Sequence, residues 1–346
     1  MYSIKKFNFK ENNLENNNEW NSFIKTNSEG HFFFETDYLF YHKERFEDFS
    51  LMIYNDKKNL ICVLPACFEG EKILHSHTGL TFGGFIFKDN LSFLEQRQIV
   101  FSCLDFLKQN DFNELIIKPL PSYFQLGNQK NESVHRLLND NLIESKILRL
   151  EANSVITLPK SESDYQKINY QNYSKRKKRN LQKTFNFDLK VEKTALATDF
   201  WKIIEDNLKL RHNLSPVHSA AEIQLLHDKF PQNILFFVVK NNAQIIACSV
   251  IFIYQSTIHL QYMAATNGGK KTNALDFLID ELIKNHSIYF DKIIKTSPTG
   301  RFEYLSLGVS ELRNNKDGNS INEGLFKWKE EFGAKTFSHF VYQIKL

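Results

Sequence analysis

The sequence predicts an α/β fold with mixed, α+β-type sheets, and the fold is built twice. An apolar strand pair, a glycine loop, an amphipathic helix and a further strand follow one another in residues 49–120 and again in residues 234–310. In both copies apolar residues alternate along the strands and recur every three or four positions along the helix. A chain of 346 residues is long enough for two domains. We place them at residues 1–160 and 161–346 and expect them to pack together.

In the first copy, residues 49–55 and 59–70 are predicted strands joined by the polar turn DKK. The glycine loop TFGGFIFKDN follows them. Residues 91–110 then show helical spacing of apolar side chains, and ELIIKPL predicts the closing strand.

In the second copy, residues 234–240 and 244–254 flank the turn NNA, and TIHLQYMAAT continues as a third strand. The segment NGGKKTN is predicted to be a loop. A helix over residues 274–286 and the strand YLSLGVS complete the copy.

Composition narrows the functional class. Hydrophobic residues make up 42% of the chain and include 32 Phe, so a sizeable core is expected. A formal net charge of +4 is too small to indicate a nucleic-acid partner by itself. The four cysteines lie in apolar runs without metal-ligand spacing, which predicts buried thiols and no metal. The strongly apolar stretch Ile245–Tyr254 is too short to span a bilayer, so we expect a cytoplasmic protein.

The C-terminal residues carry a distinctive pattern. A predicted helix over residues 322–332 places Leu325, Trp328 and Phe332 on one face, and Gly333 ends it. The sequence WKEEFG at Trp328–Gly333 resembles the aromatic-Lys-x-x-Phe-Gly box of Fem-like acyltransferases, which belong to the GNAT (acetyltransferase) superfamily. The segments SHTGLTFGG, SKRKKRNLQK, SPVHSAAEI and HLQYMAA are similar to those of Fem-like proteins from bacterial surface-polysaccharide gene clusters.

The resemblance implies two GNAT-like domains with the acyl-donor pocket in the second. It implies an acyltransferase that moves an acyl group from a thioester donor to an amine of a sugar nucleotide or another glycan precursor, free or lipid-linked. Acyl-CoA would be the co-substrate, with acyl carrier protein as another possible donor. One alternative is a Fem-type transferase that uses aminoacyl-tRNA to extend a peptidoglycan precursor. Another is a catalytically inactive GNAT-like binding module.

The donor site is predicted at the segment NGGKKTN, with Gly268, Gly269, Lys270 and Lys271 as the binding residues. Glycines permit close backbone approach, and amides at a helix start attract phosphate. In GNAT enzymes this position binds the pyrophosphate of coenzyme A. The superfamily pattern Q/R-x-x-G-x-G/A is absent here, which leaves coenzyme A, a carrier protein and tRNA open as donors. An ordinary turn between strand and helix is the competing interpretation.

A substrate wall is predicted in the first domain at His77, Thr78, Gly83 and Gly84. Small, flexible residues beside a histidine are typical of a backbone that approaches a ligand closely. The competing interpretation is a tight turn that closes a sheet.

Candidates for proton transfer lie in the second domain. His212 and His218 occur in a polar connection between two helices, where Ser219 and Glu222 form a capping box. We predict His218 as the general base and His212 as a substrate contact. Alternation along HLQYMAA predicts Gln261 on one face, as a further substrate contact, and Tyr262 on the other, as the catalytic acid or a core residue.

Two basic features remain. Residues 175–179 are five consecutive cations, and on a helix they are expected to point in all directions. A solvated surface is the simpler interpretation, and a cradle for substrate phosphates is the functional one.

By resemblance, Lys329 is predicted to contact a phosphate or carboxylate of a substrate, with Trp328 beside it. The competing interpretation leaves Lys329 solvated.

Overall fold

A computed structural model describes residues 2–7, 14–125, 133–294, 300–311 and 321–346. The chain divides into two compact units, called unit 1 and unit 2. Unit 1 holds Met1–Glu151 and returns at Ser338–Leu346, and unit 2 holds Ala152–Asn314 and Ser320–Phe337. The last residues of the chain therefore complete unit 1.

The strands are numbered in chain order. They are β1 Ser3–Lys6, β2 Leu51–Tyr54, β3 Leu60–Leu64, β4 Cys67–Phe68, β5 Ile73–Ser76, β6 Ile86–Phe87, β7 Glu114–Ile117, β8 Ser145–Thr157, β9 Leu189–Thr194, β10 Ile234–Asn241, β11 Gln244–Tyr254, β12 Thr257–Ala265, β13 Tyr304–Val309 and β14 Lys335–Lys345.

The helices are numbered in the same way. They are α1 Leu14–Thr26, α2 Thr36–Phe40, α3 Phe93–Gln109, α4 Ser133–Leu138, α5 Glu162–Asp164, α6 Lys175–Thr184, α7 Trp201–His212, α8 Ala220–Lys229, α9 Asn267–Lys271, α10 Ala274–Lys284, α11 His286–Tyr289, α12 Asp291–Ile294 and α13 Glu323–Glu330.

Unit 1 contains two strand groups, in the orders β1-β2-β3-β6 and β4-β5-β7-β14. The helix α3 begins at a capping box formed by Ser92 and Glu95. Its apolar face, which includes Ile99, Cys103 and Leu107, is fully buried in the core of this unit. The terminal strand β14 pairs antiparallel with β7, which explains why the end of the chain belongs to unit 1.

Unit 2 has the strand order β8-β13-β12-β11-β10-β9. Its core lies between these strands and α10, whose residues Leu278, Ile279 and Leu282 are fully buried. Burial of each such side chain stabilises the fold by about 1.5–3 kcal/mol. In this strand order β12 lies between β13 and β11, so it is an interior strand of the sheet.

The predicted duplication is confirmed. Each unit contains a parallel strand pair connected through a long helix: β5, α3 and β7 in unit 1, and β12, α10 and β13 in unit 2. A strand hairpin precedes each pair, β2 with β3 and β10 with β11. The fold class is thus the mixed α/β fold that the sequence predicts.

Two further expectations concern the chain as a whole. All four cysteines are buried free thiols, as predicted. Among the residues that the structure describes, no helix is both long and apolar enough to cross a bilayer.

Candidate active site

The strands β12 and β13 pair only at their beginnings. Thr257, Ile258 and His259 lie opposite Tyr304, Leu305 and Ser306, and the parallel register ends there. Beyond that point β12 continues to Ala265 and β13 to Val309. We call the opening between Leu260–Ala265 and Leu307–Val309 the strand wedge. Among the described residues, β12 and β13 have no paired positions beyond His259 and Ser306.

A β-bulge changes which way the β12 side chains face. Val250 of β11 lies opposite Tyr262, whereas Ile251 lies opposite Leu260, so Gln261 is the extra residue. Leu260 belongs to the core cluster with α10. Tyr262 instead meets Trp201 of α7 edge-on, with the ring centroids 5.4 Å apart. The strict alternation predicted from the sequence is therefore wrong at the half-buried Gln261, because a bulge resets it.

His218 and Tyr262 form a direct contact on the β12 arm. The Nδ1 atom of His218 lies 2.7 Å from the hydroxyl oxygen of Tyr262. His218 directly precedes Ser219, which caps α8 in the predicted capping box with Glu222. The cap holds the start of α8, and His218 is buried against the strand. The structure thus brings together the two residues that the sequence predicts as base and acid.

A second histidine lies where the wedge opens. His259 is buried, and its Nδ1 atom is 3.0 Å from the Ser306 hydroxyl across the last paired position. The Gly308 amide also donates to that hydroxyl, at 3.4 Å. Gly308 adopts φ +70°, a left-handed conformation that favours glycine. Sequence reasoning did not identify the His259–Ser306 pair, since the contact joins residues of separate strands.

Lys329 of α13 contacts the β13 arm. Its Nζ atom donates to the carbonyl oxygens of Gly308 at 2.8 Å and Val309 at 2.6 Å. The residue is only 1% exposed, so the solvated-surface interpretation is wrong. Burial lowers the pKa of Lys329 to about 7, although the nearby Glu311 carboxylate opposes that shift. An ammonium group has three N–H donors, and two of them are used here.

Glu311 is a site residue that sequence reasoning missed. One carboxylate oxygen accepts a hydrogen bond from the Ala152 amide. The other is buried without a hydrogen-bond partner among the described residues. A buried carboxylate oxygen without a donor is costly unless water or a ligand supplies one. No signal in the sequence distinguishes Glu311 from the chain's other carboxylates.

The segment NGGKKTN is not a loop. Residues 267–271 form the short helix α9, and the Thr266 hydroxyl accepts from the Gly269 amide at its start. A side chain at Gly269 would come within 2.2 Å of the Ile246 carbonyl oxygen, so close packing on β11 explains this glycine. Gly268, Lys270 and Lys271 remain exposed. The two lysines form a small basic surface next to the end of β12.

The cationic run forms α6, and two of its members have structural partners. Lys177 is fully buried and pairs with Asp276 of α10 at 2.7 Å. Trp328 donates to the same carboxylate oxygen, also at 2.7 Å. Arg176 binds Glu331 at 2.7 Å. The prediction of a merely solvated run is therefore wrong for Lys177, whereas Arg176 stays exposed and pairs with Glu331 of the C-terminal box.

The glycine pair of unit 1 has a clear packing role. The Gly83 amide donates to the Lys118 carbonyl at 2.7 Å, and the Gly84 amide donates to the Ser76 hydroxyl at 2.7 Å. A side chain at Gly83 would lie 2.2 Å from the Ser76 carbonyl oxygen. Because Ser76 ends β5 and Lys118 follows β7, the pair occupies the place where these parallel strands part. The corresponding opening in unit 2 is the strand wedge.

The remaining predicted residues are located as follows. His77 is buried, and its ring stacks on His42 with centroids 5.4 Å apart. Burial lowers the pKa of His77 to about 3, and His42 and His75 add to that effect, so the ring is neutral. Thr78 is exposed and lies within hydrogen-bond distance of the buried Cys67 thiol. His212 ends α7, and its side chain lies outside the described residues.

Within the described ranges, no group of three or more His, Cys, Asp or Glu side chains is arranged to hold a metal ion. A cavity of about 620 Å³ in unit 1 is lined by residues that include Tyr2, Asp56 and Phe101. None of the predicted site residues lines it. Among the predicted residues, His218 contacts Tyr262 of β12, and Lys329 contacts the end of β13.

Comparison with solved structures supports this fold. The chain is similar to FemX, with a TM-score of 0.64 and 10% identity over 95% of this chain and 96% of that one. It is also similar to a conserved protein of unknown function from Bacteroides thetaiotaomicron, with a TM-score of 0.54 and 11% identity over the full length of both chains.

A third similar structure is the C-terminal domain of a putative lysylphosphatidylglycerol synthetase from Agrobacterium fabrum. Its TM-score is 0.53, at 8% identity over 94% of this chain and 91% of that one. No family model matches the sequence, and no relative is found among curated proteins. The chain therefore has a mixed α/β fold like that of FemX. The likeness at these identities concerns the fold alone.

Proposed function

We propose that the protein is an acyltransferase that moves an acyl group from a thioester donor to an amine of a sugar nucleotide or a related surface-glycan precursor. The single observation that carries the proposal is the strand wedge, with the His218–Tyr262 pair on one arm and Lys329 on the other. Acyl transfer needs a proton acceptor, a cationic or amide donor for the oxyanion, and backbone groups that orient the acyl arm.

The reaction is a direct attack in a ternary complex. The acceptor nitrogen forms the new bond to the acyl carbon, and the bond from that carbon to sulfur then breaks. Tyr262 accepts the amine proton through its hydroxyl oxygen while it donates its own proton to His218. The protonated pair returns a proton to the departing thiolate. The four free cysteines are buried, and burial raises the pKa of the Cys248 thiol to about 12, which disfavours a cysteine nucleophile.

Lys329 acts on the opposite arm. Two of its N–H groups donate to the carbonyls of Gly308 and Val309, and we assign the third to the acyl oxygen or to an anionic substrate group. Glu311 supplies a carboxylate nearby that raises the pKa of Lys329 against the effect of burial. With a pKa of about 7, Lys329 can gain or lose its proton near neutral pH beside the wedge, where charge develops during transfer.

Acyl-CoA is the donor that the basic surface of α9 suits best. Lys270 and Lys271 are exposed beside Gly268, at which an added Cβ would find only the Thr266 hydroxyl within 4 Å, at 3.6 Å. Phosphates can approach the backbone at such a position, and the lysines supply charge. We assign these three residues to the pyrophosphate. Gly269, which is packed on β11, has a structural role instead.

The resemblance of the box at Trp328–Gly333 to Fem-like acyltransferases leaves a second candidate, transfer from aminoacyl-tRNA to a peptidoglycan precursor. The two donors are separated by calorimetry with coenzyme A and by filter binding with bulk tRNA. Binding of coenzyme A that weakens about tenfold in Lys270→Ala/Lys271→Ala supports the first donor. The matched control is Lys57→Ala/Lys108→Ala, two exposed lysines of unit 1. Saturable tRNA binding without coenzyme A binding replaces the first donor with the second.

Activity itself is tested by thiol release from acetyl-CoA with a panel of amino-sugar nucleotides. Parent protein should release thiol only with an amine acceptor, and Tyr262→Phe and Lys329→Met should lose most turnover. Ligand binding without turnover on the whole panel, by either donor, would instead indicate an inactive GNAT-like binding module.

A further inference from the structure

The outward face of α6 carries a straight row of cations. Lys177, Leu181 and Thr184 form the buried side of this helix. Lys175, Arg179 and Lys183 are spaced by four residues, so they lie roughly on the opposite side, and all three are exposed. The sequence alone suggested charges that point in all directions. Instead, Lys177 lies on the buried side of α6, whereas Lys175, Arg179 and Lys183 lie on its exposed side.

Among the residues that the structure describes, no acidic side chain forms an ion pair with Lys175, Arg179 or Lys183. Within the described part of the chain, ion pairs on α6 involve Lys177 with Asp276 and Glu331 and Arg176 with Glu331, and none involves the outer row. The helix itself contains no acidic residue. The first acid after it, Asp188, is paired with Lys190. An uncompensated row of three charges at one-turn intervals attracts an anionic surface.

Two exposed aromatic residues follow this row along the chain. Phe185 is 84% exposed and Phe187 is 39% exposed, although both belong to an ordered turn. The amides of residues 185, 186 and 187 donate to the carbonyls of residues 182, 183 and 184 at 3.3, 3.2 and 3.0 Å. The backbone that carries the two rings is therefore a hydrogen-bonded turn. We call Lys175, Arg179, Lys183, Phe185 and Phe187 the basic-aromatic surface.

We propose that the basic-aromatic surface docks on a bilayer that contains anionic lipid. Cations that meet headgroups and apolar side chains that enter the boundary below them are the two components of interfacial binding. Single-stranded nucleic acid fits less well, because it requires aromatic platforms interleaved with cations along a groove. Here both aromatic residues come after the cations along the chain, and the cations lie on the outside of a helix and not along a groove.

This surface is independent of the proposed transfer chemistry. None of its five residues belongs to the strand wedge or to α9. Changes in it should leave the turnover of a water-soluble acceptor unaltered. Loss of membrane binding can therefore be told apart from failure of the acyltransferase proposal.

The test is co-sedimentation of the full chain with vesicles of phosphatidylglycerol and phosphatidylcholine, 3:1, against phosphatidylcholine alone. Each cation near an anionic surface contributes about fivefold to partitioning, so Lys175→Gln/Arg179→Gln/Lys183→Gln should lose on the order of 100-fold. Phe185→Ser/Phe187→Ser should lose roughly tenfold. The matched controls are Lys57→Gln/Lys108→Gln/Lys335→Gln and Leu142→Ser, which change exposed residues elsewhere. Circular dichroism verifies that each variant is folded.

Binding that requires anionic lipid, falls with salt and is lost only in the two surface variants supports the proposal. Absence of vesicle binding, or equal binding by surface and control variants, overturns it. Binding of bulk tRNA that is lost in the charge variant, without vesicle binding, also overturns it and assigns the surface to nucleic acid.

Discussion

His218 and Tyr262, 44 positions apart in the sequence, share a 2.7 Å hydrogen bond beside the strand wedge. The bond depends on two local features. The capping box holds the start of α8 directly after His218, and the bulge at Gln261 puts Tyr262 on the side of the sheet that faces Trp201, opposite α10. A short contact between an imidazole and a phenol gives a route along which one proton can move in either direction.

If the two groups act as one relay, their effects on turnover will not add. We expect Tyr262→Phe and His218→Gln each to lower kcat about 10²–10⁴-fold. The double variant should be little worse than the poorer single variant, since residues that act as a unit are strongly non-additive. Steady-state kinetics of all four proteins measures this. Additive losses, or a change confined to the melting temperature, would show that the contact is structural.

The glycines of α9 offer a matched pair. Gly269→Ala places a carbon 2.2 Å from the Ile246 carbonyl oxygen, so we expect a loss of about 1–3 kcal/mol of stability. At Gly268 the nearest atom would be the Thr266 hydroxyl at 3.6 Å, and Gly268→Ala should fold as the parent does. Urea unfolding compares them. Calorimetry then measures coenzyme A binding, which Gly268→Ala should weaken if the backbone at this position contacts the pyrophosphate.

Local sequence patterns predicted much of the fold. The hairpins, α3, α10, α13 and the capping box at Ser219 follow from apolar periodicity and short-range capping, which depend on neighbouring residues. The helix α9 was missed because glycines argue against helix and only the Thr266 cap and packing on β11 stabilise it.

The site was predictable only in part. Histidine and tyrosine are recognisable as proton carriers, so His218 and Tyr262 could be proposed from residue type. The His259–Ser306 contact, the buried position of Lys329 and the unpartnered oxygen of Glu311 depend on strands that meet in space. Such relationships are long-range, and a single sequence carries no signal for them.

The burial of Lys177 leads to a stability prediction. Its ammonium lies between the Asp276 carboxylate and the rings of Trp328 and Phe332, with 3.9 Å to the centroid of the Phe332 ring. Lys177→Met leaves the Asp276 charge buried without its cation, and removal of one partner of a buried pair costs about 3–5 kcal/mol. Urea unfolding should show this loss. Lys183→Met, on the exposed side of the same helix, should change stability by less than about 0.5 kcal/mol.

Lys329 should make stability depend on pH. Its folded pKa is about 7, against the ordinary lysine value of 10.5 that applies to the unfolded chain. Below pH 7 both states carry the proton, and the folded state bears the full penalty of the buried charge. Between pH 7 and 10.5 the unfolded state binds more protons, so stability rises with pH by at most about 1.4 kcal/mol per unit from this group.

The variant Lys329→Met lacks that contribution. The difference in unfolding free energy, parent minus variant, should therefore increase as the pH is raised from 7.5 to 9, whatever its value at pH 7.5. Lys327→Met, an exposed position of the same helix, is the control and should show a constant difference. Glu311→Gln removes the carboxylate that raises the pKa of Lys329, so the rise should begin at lower pH. A pH-independent difference for Lys329→Met would mean that its ammonium stays protonated across this range.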